Sequence, residues 1–444
     1  MEKKIDISNH IKIKSRLPAF GTDRLFKRLK KVESRSMHGQ LPIAWKSAKD
    51  FYVYDISGNR FIDFTSTIFV ANTGHSNQRI KKYIQRTLDN DLLHSYVYIH
   101  KIRVKYIEKL IKFAGRGFDK AFLMSAGTEA TEAAFKLMRM YGQKKNKRKL
   151  GIICFEGNWH GRTLAAQMMS GNINQKKWVG YTDKNIHHLP FPYPWKISDD
   201  GYESFLKKSI KKLKKKINLK KDVCGVMIET FQGWGALFYP KGYIQMLKKI
   251  CKENDILISF DEMQAGFSRT GKNFGFQHYN ITPDLICCGK GMGGGVPLAG
   301  VIGRKEIMDL PEVGNMSSTN SANPISCSAG LAVIEEIQKK KLTLQAKNKG
   351  KILHYELKKI AKSNKNLFDV YGKGLIAALV FEKKIPKIEI KLKYLVERCI
   401  NDGLLLVYTG RESIKLGPPL TITKDAILLA TKIIKKNINL VFND

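Results

Sequence analysis

The sequence predicts an α/β protein: a large domain on a mostly parallel sheet, and a smaller α+β domain made from both chain ends. Three observations predict it. From about residue 120 to 305, short apolar runs alternate with stretches of helical periodicity. Most of those runs lack polar–apolar alternation, as strands buried on both faces do. The flanking regions read differently, with a hairpin pattern before and lysine-rich helical patterns after. The expected divisions are 1–80 for an N-terminal segment contributing to the small domain, 81–335 for the large domain and 336–444 for the rest of the small one.

Taken in order, the opening "MEKKIDISNHIKIKSR" is charged and lacks the apolar core of a secretory signal. "FYVYDISGNRFIDF" holds two short strand runs around a Ser-Gly-Asn turn, a hairpin signature. The strands expected in the large domain are "KAFLMSAG", "GIICFEG", "VCGVMIETF", "ILISFDEM", "DLICCGKG" and "LAGVIGR". After about residue 335 the chain turns helical, then ends in strand-like "GLLLVYTG" and "SIKLGPPLTIT". No internal repeat or low-complexity linker interrupts it.

At 444 residues and 43% hydrophobic content, the chain has the composition of a globular protein with a large core. No stretch of about 18 strongly apolar, uncharged residues suggests a membrane span. Seven cysteines, none in a CxxC pair, point to a reducing, cytoplasmic compartment. Cys287 and Cys288 are adjacent in a strand-like run, where thiols pack as small apolar groups. The formal charge of +39 admits two readings, polyanion binding or a lysine-rich composition bias. In the densest run, "KKSIKKLKKKINLKK" at 207–221, Leu206, Ile210, Leu213 and Ile217 fall at helical spacing. The lysines then occupy a solvated face, and no aromatic residue is interleaved for base stacking. Bias is the reading the pattern supports, and no specific nucleic-acid partner is expected.

"DLICCGKGMGGGVPLAG" carries six glycines and one lysine after a buried-strand run. Gly289, Gly291 and Gly294 satisfy G-x-G-x-x-G, but a dinucleotide site needs a helix starting in that loop. A third consecutive glycine and Pro297 follow instead. A phosphate loop also fails, because Lys290 precedes Gly rather than Ser or Thr. Two readings survive: an amine close to a flat cofactor and partly desolvated, or a surface lysine in a flexible turn. In "ILISFDEMQ", Asp261 ends an apolar strand, where active sites of parallel sheets gather. A carboxylate there needs a cation or serves as a helix cap. In "SAGTEATEAAFKLMR", the N–H groups around Gly127 and Thr128 open a helix and offer a phosphate-sized anion site, or the helix is simply capped.

Together these stretches resemble the class-III aminotransferases, pyridoxal-phosphate enzymes of fold type I. The matching segments are "SAGTEATEAAFKLMR", "NWHGRT", "VMIETFQG", "LISFDEMQAGFSRTGKNFGFQHY", "PDLICCGKGMGGGVPLAGVIGR" and "STNSANP", running from "DISGNRFIDF" nearly to the C-terminus. The resemblance implies that 81–335 binds pyridoxal 5'-phosphate. It implies that Lys290 holds the cofactor covalently and shuttles the proton, that Asp261 faces the pyridine nitrogen, and that Gln264 contacts the ring hydroxyl. Trp159 stands where a stacking aromatic is usual, and Met263 on the opposite face. Gly127 and Thr128 match phosphate-binding residues. Ser318 and Thr319 match a pair that reaches the phosphate from a neighbouring subunit, implying a homodimer with shared active sites. Glu229 matches an acidic residue orienting Gln264 or the substrate region.

Three departures concern specificity. "ETFQGW" puts Trp234 where some members have a gating glutamate. Lys415, in "SIKLGPPL", stands where an arginine holds a substrate carboxylate, with Arg411 nearby. "TNSANP" is poorer in glycine than the family's turn. No metal is expected. The expected activity is transfer of an amino group from an amine donor, an ω-amine by the resemblance, to a keto-acid acceptor. A decarboxylase or aminomutase on the same scaffold is the runner-up, and a basic polyanion-binding protein the remote alternative.

Overall fold

The computed structural model describes residues 9–39, 41–197 and 201–442, and the chain falls into two compact units. One runs to Asn77 and resumes at Gln345; the other is Gln78–Leu344.

The first unit begins with β1 (Trp45–Lys49), β2 (Tyr52–Asp55) and β3 (Arg60–Asp63). β2 and β3 pair antiparallel, Tyr52 opposite Ile62, so the expected hairpin forms. Its turn closes on a side chain: Asp55 Oδ1 accepts from the N–H groups of Ser57 (3.0 Å) and Asn59 (2.9 Å). Gly58 takes φ +78°, which an unbranched backbone adopts without strain. β1, with the polar sequence WKSAK, adds to β2 without any apolar signature.

The second unit holds β4 (Lys120–Met124), β5 (Gly151–Phe155), β6 (Ile186–Leu189), β7 (Val223–Glu229), the short hairpin β8 (Phe231–Gln232) and β9 (Leu237–Phe238), β10 (Leu257–Asp261), β11 (Leu285–Cys288) and β12 (Ala299–Gly303). Seven of them form one sheet in the order β4-β12-β11-β10-β7-β5-β6. β5, β6, β7, β10 and β11 run parallel, while β12 pairs antiparallel with both β11 and β4. β5, β7, β10, β11 and β12 are buried along their whole length, as sequences without polar–apolar alternation require. Ala130, Ala134, Leu137 and Met138 of the helix Gly127–Lys145 pack on residues of these strands. The glycine segment after β11 makes one 3₁₀ turn at Lys290–Met292 and leads to β12, with no α-helix starting in it.

The helix Gly201–Lys214 buries Leu206, Ile210 and Leu213. Ile217 lies beyond its end, which corrects the single amphipathic helix expected there. A separate turn, Leu219–Asp222, is capped by Asn218, whose side chain accepts from Lys221 N. The lysines of both pieces are exposed.

The first unit resumes with β13 (Leu367–Lys373), β14 (Ile376–Phe381), β15 (Leu404–Leu405), β16 (Val407–Tyr408) and β17 (Ser413–Leu416). β15 joins β3 in parallel, extending the N-terminal sheet, and β13-β14-β17-β16 form a second sheet. The strand expected over "SIKLGPPLTIT" stops at Leu416, before the two prolines. All seven cysteines are buried and unbonded. Among the described residues no helix is long and apolar enough to cross a membrane, and no group of acidic, His or Cys side chains could hold a metal ion.

Candidate active site

The site is laid out by strand ends. β10 ends in Asp261, paired in register with Glu229 at the end of β7 and with Cys287 of β11. β11 ends at Cys288, and Gly289 and Lys290 follow directly. β4 ends at Met124, and the helix Gly127–Lys145 starts three residues on. Carboxyl ends of parallel strands thus bring Lys290, Asp261, Glu229 and Gly127 to one edge of the sheet.

Lys290 is half-buried and takes φ +47°, in the left-handed region that a lysine occupies only at a cost of about 1 kcal/mol. Loss of solvation lowers the pKa of its amine, against the opposing pull of Asp261 and Glu229. The neutral, nucleophilic form is thereby favoured. Gly289 beside it needs to be glycine: a Cβ there would lie 2.6 Å from Met263 Sδ. Gly127 meets the same sulfur, at 2.8 Å from its would-be Cβ. Both glycines therefore shape a cradle whose floor includes Met263.

Asp261 is buried, and both carboxylate oxygens are held. Oδ1 accepts from Met263 N at 3.0 Å, and Oδ2 lies 2.9 Å from His160 Nδ1. The other ring nitrogen of His160 is buried without a partner among the described residues. Nδ1 therefore donates to the carboxylate, the arrangement that keeps Asp261 aimed. Its chain neighbour Glu262 faces elsewhere. It accepts from Thr230 Oγ1 (2.5 Å), Gly275 N (2.7 Å) and Phe276 N (2.7 Å), and burial raises its pKa to about 7. The adjacent acids of "FDEM" have separate tasks, one at the site and one tying loops together.

Glu229 Oε2 accepts from Trp159 N at 3.0 Å. Gly233 sits against both Glu229 and Gln264: its would-be Cβ is 3.3 Å from Glu229 Oε1 and 2.6 Å from Gln264 Nε2. Trp159 is half-buried, with the Arg162 guanidinium 4.7 Å from its ring centroid. At the helix start, Glu129 Oε2 accepts from Ser125 N and Ala126 N, at 2.9 and 2.8 Å. The Thr128 hydroxyl lies 2.6 Å from that of Thr163, which donates to Glu132 Oε1. Gly127, Thr128 and Thr163 thus surround the positive end of a 19-residue helix. A desolvated amine, a fixed buried carboxylate, a glycine-lined cradle and an anion-binding helix end fit a flat, cationic, phosphate-bearing cofactor.

Ser318 is half-buried and Thr319 exposed, on a stretch that precedes the Asn323-capped helix Pro324–Lys339. Trp234 is 9% exposed, and its indole N–H donates to Gln232 Oε1. Lys415 and Arg411 belong to the other unit. There Lys415 is buried on β17 with its ammonium 4.9 Å from the Phe69 ring centroid. Arg411 Nη2 pairs with Glu412 at 3.0 Å. Neither His160 nor Gln232 announces itself in the sequence. A histidine following an aromatic just after β5 was the available signal for the first.

A family model described as aminotransferase class-III matches residues 34–438. The acetylornithine aminotransferase of Aquifex aeolicus is 32% identical over 403 residues, covering 90% of this chain and 98% of the relative. A probable 4-aminobutyrate aminotransferase of Bacillus subtilis is 30% identical over 370 residues, covering 81% and 84%. Among solved structures, an ornithine aminotransferase of Plasmodium yoelii superposes with a TM-score of 0.79 at 26% identity, covering 95% of this chain and 99% of the other.

Proposed function

The chain belongs to the class-III aminotransferases and works with pyridoxal 5'-phosphate, and from that premise we propose how its own residues carry amino transfer. Pyridoxal phosphate supplies an aldehyde carbon that takes up the amine and a cationic ring that withdraws electrons from it. Lys290 holds the cofactor through its ε-amine until a donor arrives. Once released, it is the base that removes a proton from the donor's amine-bearing carbon and returns one in the following step. Its lowered pKa favours the unprotonated form that this work needs.

Asp261 keeps a positive charge at the pyridine nitrogen, and His160 fixes the carboxylate that does so. Gln264, backed by Glu229 and Gly233, orients the ring hydroxyl. Trp159 and Met263 would contact the two faces of the ring. The amides at Gly127 and Thr128 bind the phosphate, and Ser318 and Thr319 reach it from a second copy. The enzyme is in this reading a homodimer with shared sites. Its unbonded cysteines support a reducing, cytoplasmic setting. Keto-acid acceptors return through the same steps in reverse, giving a ping-pong cycle.

The donor is a terminal amine, as the names of the acetylornithine and 4-aminobutyrate relatives suggest. Lys415 or Arg411 holds a carboxylate of donor or acceptor, and Trp234 shapes the pocket. The observation that carries the reading is the desolvated Lys290 beside the fixed Asp261. The test is borohydride reduction of the holoenzyme followed by peptide mass mapping. The cofactor adduct is expected on Lys290, and an adduct on another lysine overturns the assignment.

A further inference from the structure

Residues 190–195 read Pro-Phe-Pro-Tyr-Pro-Trp, prolines alternating with aromatics. Each proline fixes its own φ and restricts the residue before it, so the rings are displayed on a stretch with little freedom to lose. Tyr193 and Trp195 stack at 4.9 Å with their planes 17° apart. Trp234 closes on both, 6.2 Å from Tyr193 and 6.3 Å from Trp195. Trp195 remains 42% exposed, so the cluster has an open lip.

Gln232, fully buried, is the centre of this arrangement. Its Oε1 accepts from Tyr193 Oη (2.6 Å) and Trp234 Nε1 (2.5 Å), while its Nε2 donates to Glu156 O (2.7 Å) and Asn158 Oδ1 (3.4 Å). All four bonds of one amide are used, so its orientation and that of both rings are set together. The β8–β9 hairpin holds Gln232 on one side, and Gly233 on the other touches Gln264 and Glu229. The aromatic cluster therefore adjoins the proposed reaction centre by a single residue.

We propose that Tyr193, Trp195 and Trp234 form a rigid aromatic subsite selecting amine donors that carry a flat apolar group rather than a second carboxylate, with Gln232 as its positioning residue. The inference rests on the reading of the Lys290 site, since it deepens the substrate class of that site. A donor ring laid against one of these rings gains two- to tenfold in affinity per contact. A carboxylate in the same place loses hydration among the rings, and the cation at hand, Lys196, already lies over the Tyr193 ring, 5.3 Å from its centroid.

The test is calorimetric binding to the holoenzyme of two tertiary amines, which cannot be transaminated. The probes are N,N-dimethyl-2-phenylethylamine and N,N-dimethyl-4-aminobutyrate. The aromatic probe is expected to bind about tenfold tighter. Trp234→Glu lowers that ratio about tenfold, and Trp195→Ala, at an exposed position that folding tolerates, about threefold. Gln232→Leu also lowers it, and Gln232→Glu, which keeps an acceptor oxygen, restores part of it. Equal or reversed affinities in the wild type overturn the proposal, as does a ratio unmoved by Trp195→Ala. A ratio unmoved by Gln232→Leu overturns the role of Gln232. Binding needs no turnover, so these results judge the subsite even if borohydride mapping refutes Lys290.

Discussion

Replacing Asp261 by Asn removes the charge proposed to face the pyridine nitrogen while leaving the side chain's shape. The consequences divide between chemistry and stability. Asn Oδ1 can still accept from Met263 N, now 3.0 Å from the Asp oxygen. The new amide then faces His160 Nδ1, which lies 2.9 Å from Oδ2. An amide is a donor, so His160 must become an acceptor at Nδ1 and carry its proton on Nε2. That atom is buried with no partner among the described residues. A buried N–H without an acceptor costs about 1–3 kcal/mol, which sets the expected loss of stability. Loss of a fixed electrostatic partner costs roughly 3–4 kcal/mol in the reaction, or 10²–10³ in rate. Single-turnover kinetics with a reactive amine measures the second, and thermal unfolding of the apoenzyme the first. A variant that binds cofactor and turns over within threefold of wild type refutes the assignment of Asp261. Full activity loss with unchanged stability refutes the account of His160.

Four further outcomes are expected. Lys290→Ala retains cofactor through the phosphate contacts, shown by its visible absorbance after gel filtration, yet loses essentially all turnover. Burial raises the Glu262 pKa from 4.5 to about 7, so the folded protein binds a proton there that the unfolded chain releases. Stability attributable to it is present at low pH and lost as pH rises through about 7, an effect on the order of 3 kcal/mol; Glu262→Gln should flatten the unfolding midpoint across pH 5–8 (about neutral). Mixing Lys290→Ala with Thr319→Ala chains, after subunit exchange, should recover part of the activity, whereas none in verified heterodimers counts against sites shared between copies. Finally, Lys415→Ala should raise KM for carboxylate-bearing substrates more than for simple amines; if Arg411→Ala alone does so, Arg411 is the anchor.

What was legible in the sequence follows from what each element buries. β5, β7, β10, β11 and β12 are mainly apolar runs without alternation because both of their faces are covered. β6 was not legible: its IHHL sequence is mostly half-buried at the sheet edge, where two histidines interrupt the pattern. β1 was hidden for the same reason, being polar and largely exposed. Ile217 sits at helical spacing, but spacing alone does not record that Asn218 starts a new turn. Lys290 and Asp261 stood out because a charge at the end of an apolar run demands a reason. His160 and Gln232 did not, since their meaning lies in partners 101 and 39 residues away.

The seven buried cysteines are divided unequally between the two units. Cys399 lies in the unit formed by both chain ends, while Cys154, Cys224, Cys251, Cys287, Cys288 and Cys327 lie in the other. Burial raises the thiol pKa of Cys399 to about 12, and those of Cys154 and Cys288 also rise. A thiolate, the form that reacts, is thus scarce until the surrounding structure opens. Reaction of Cys399 with a thiol reagent therefore clocks the opening of one unit, and the other six clock the opening of the second. Timed alkylation with peptide mapping would separate the two processes in the unmodified protein, with no probe introduced.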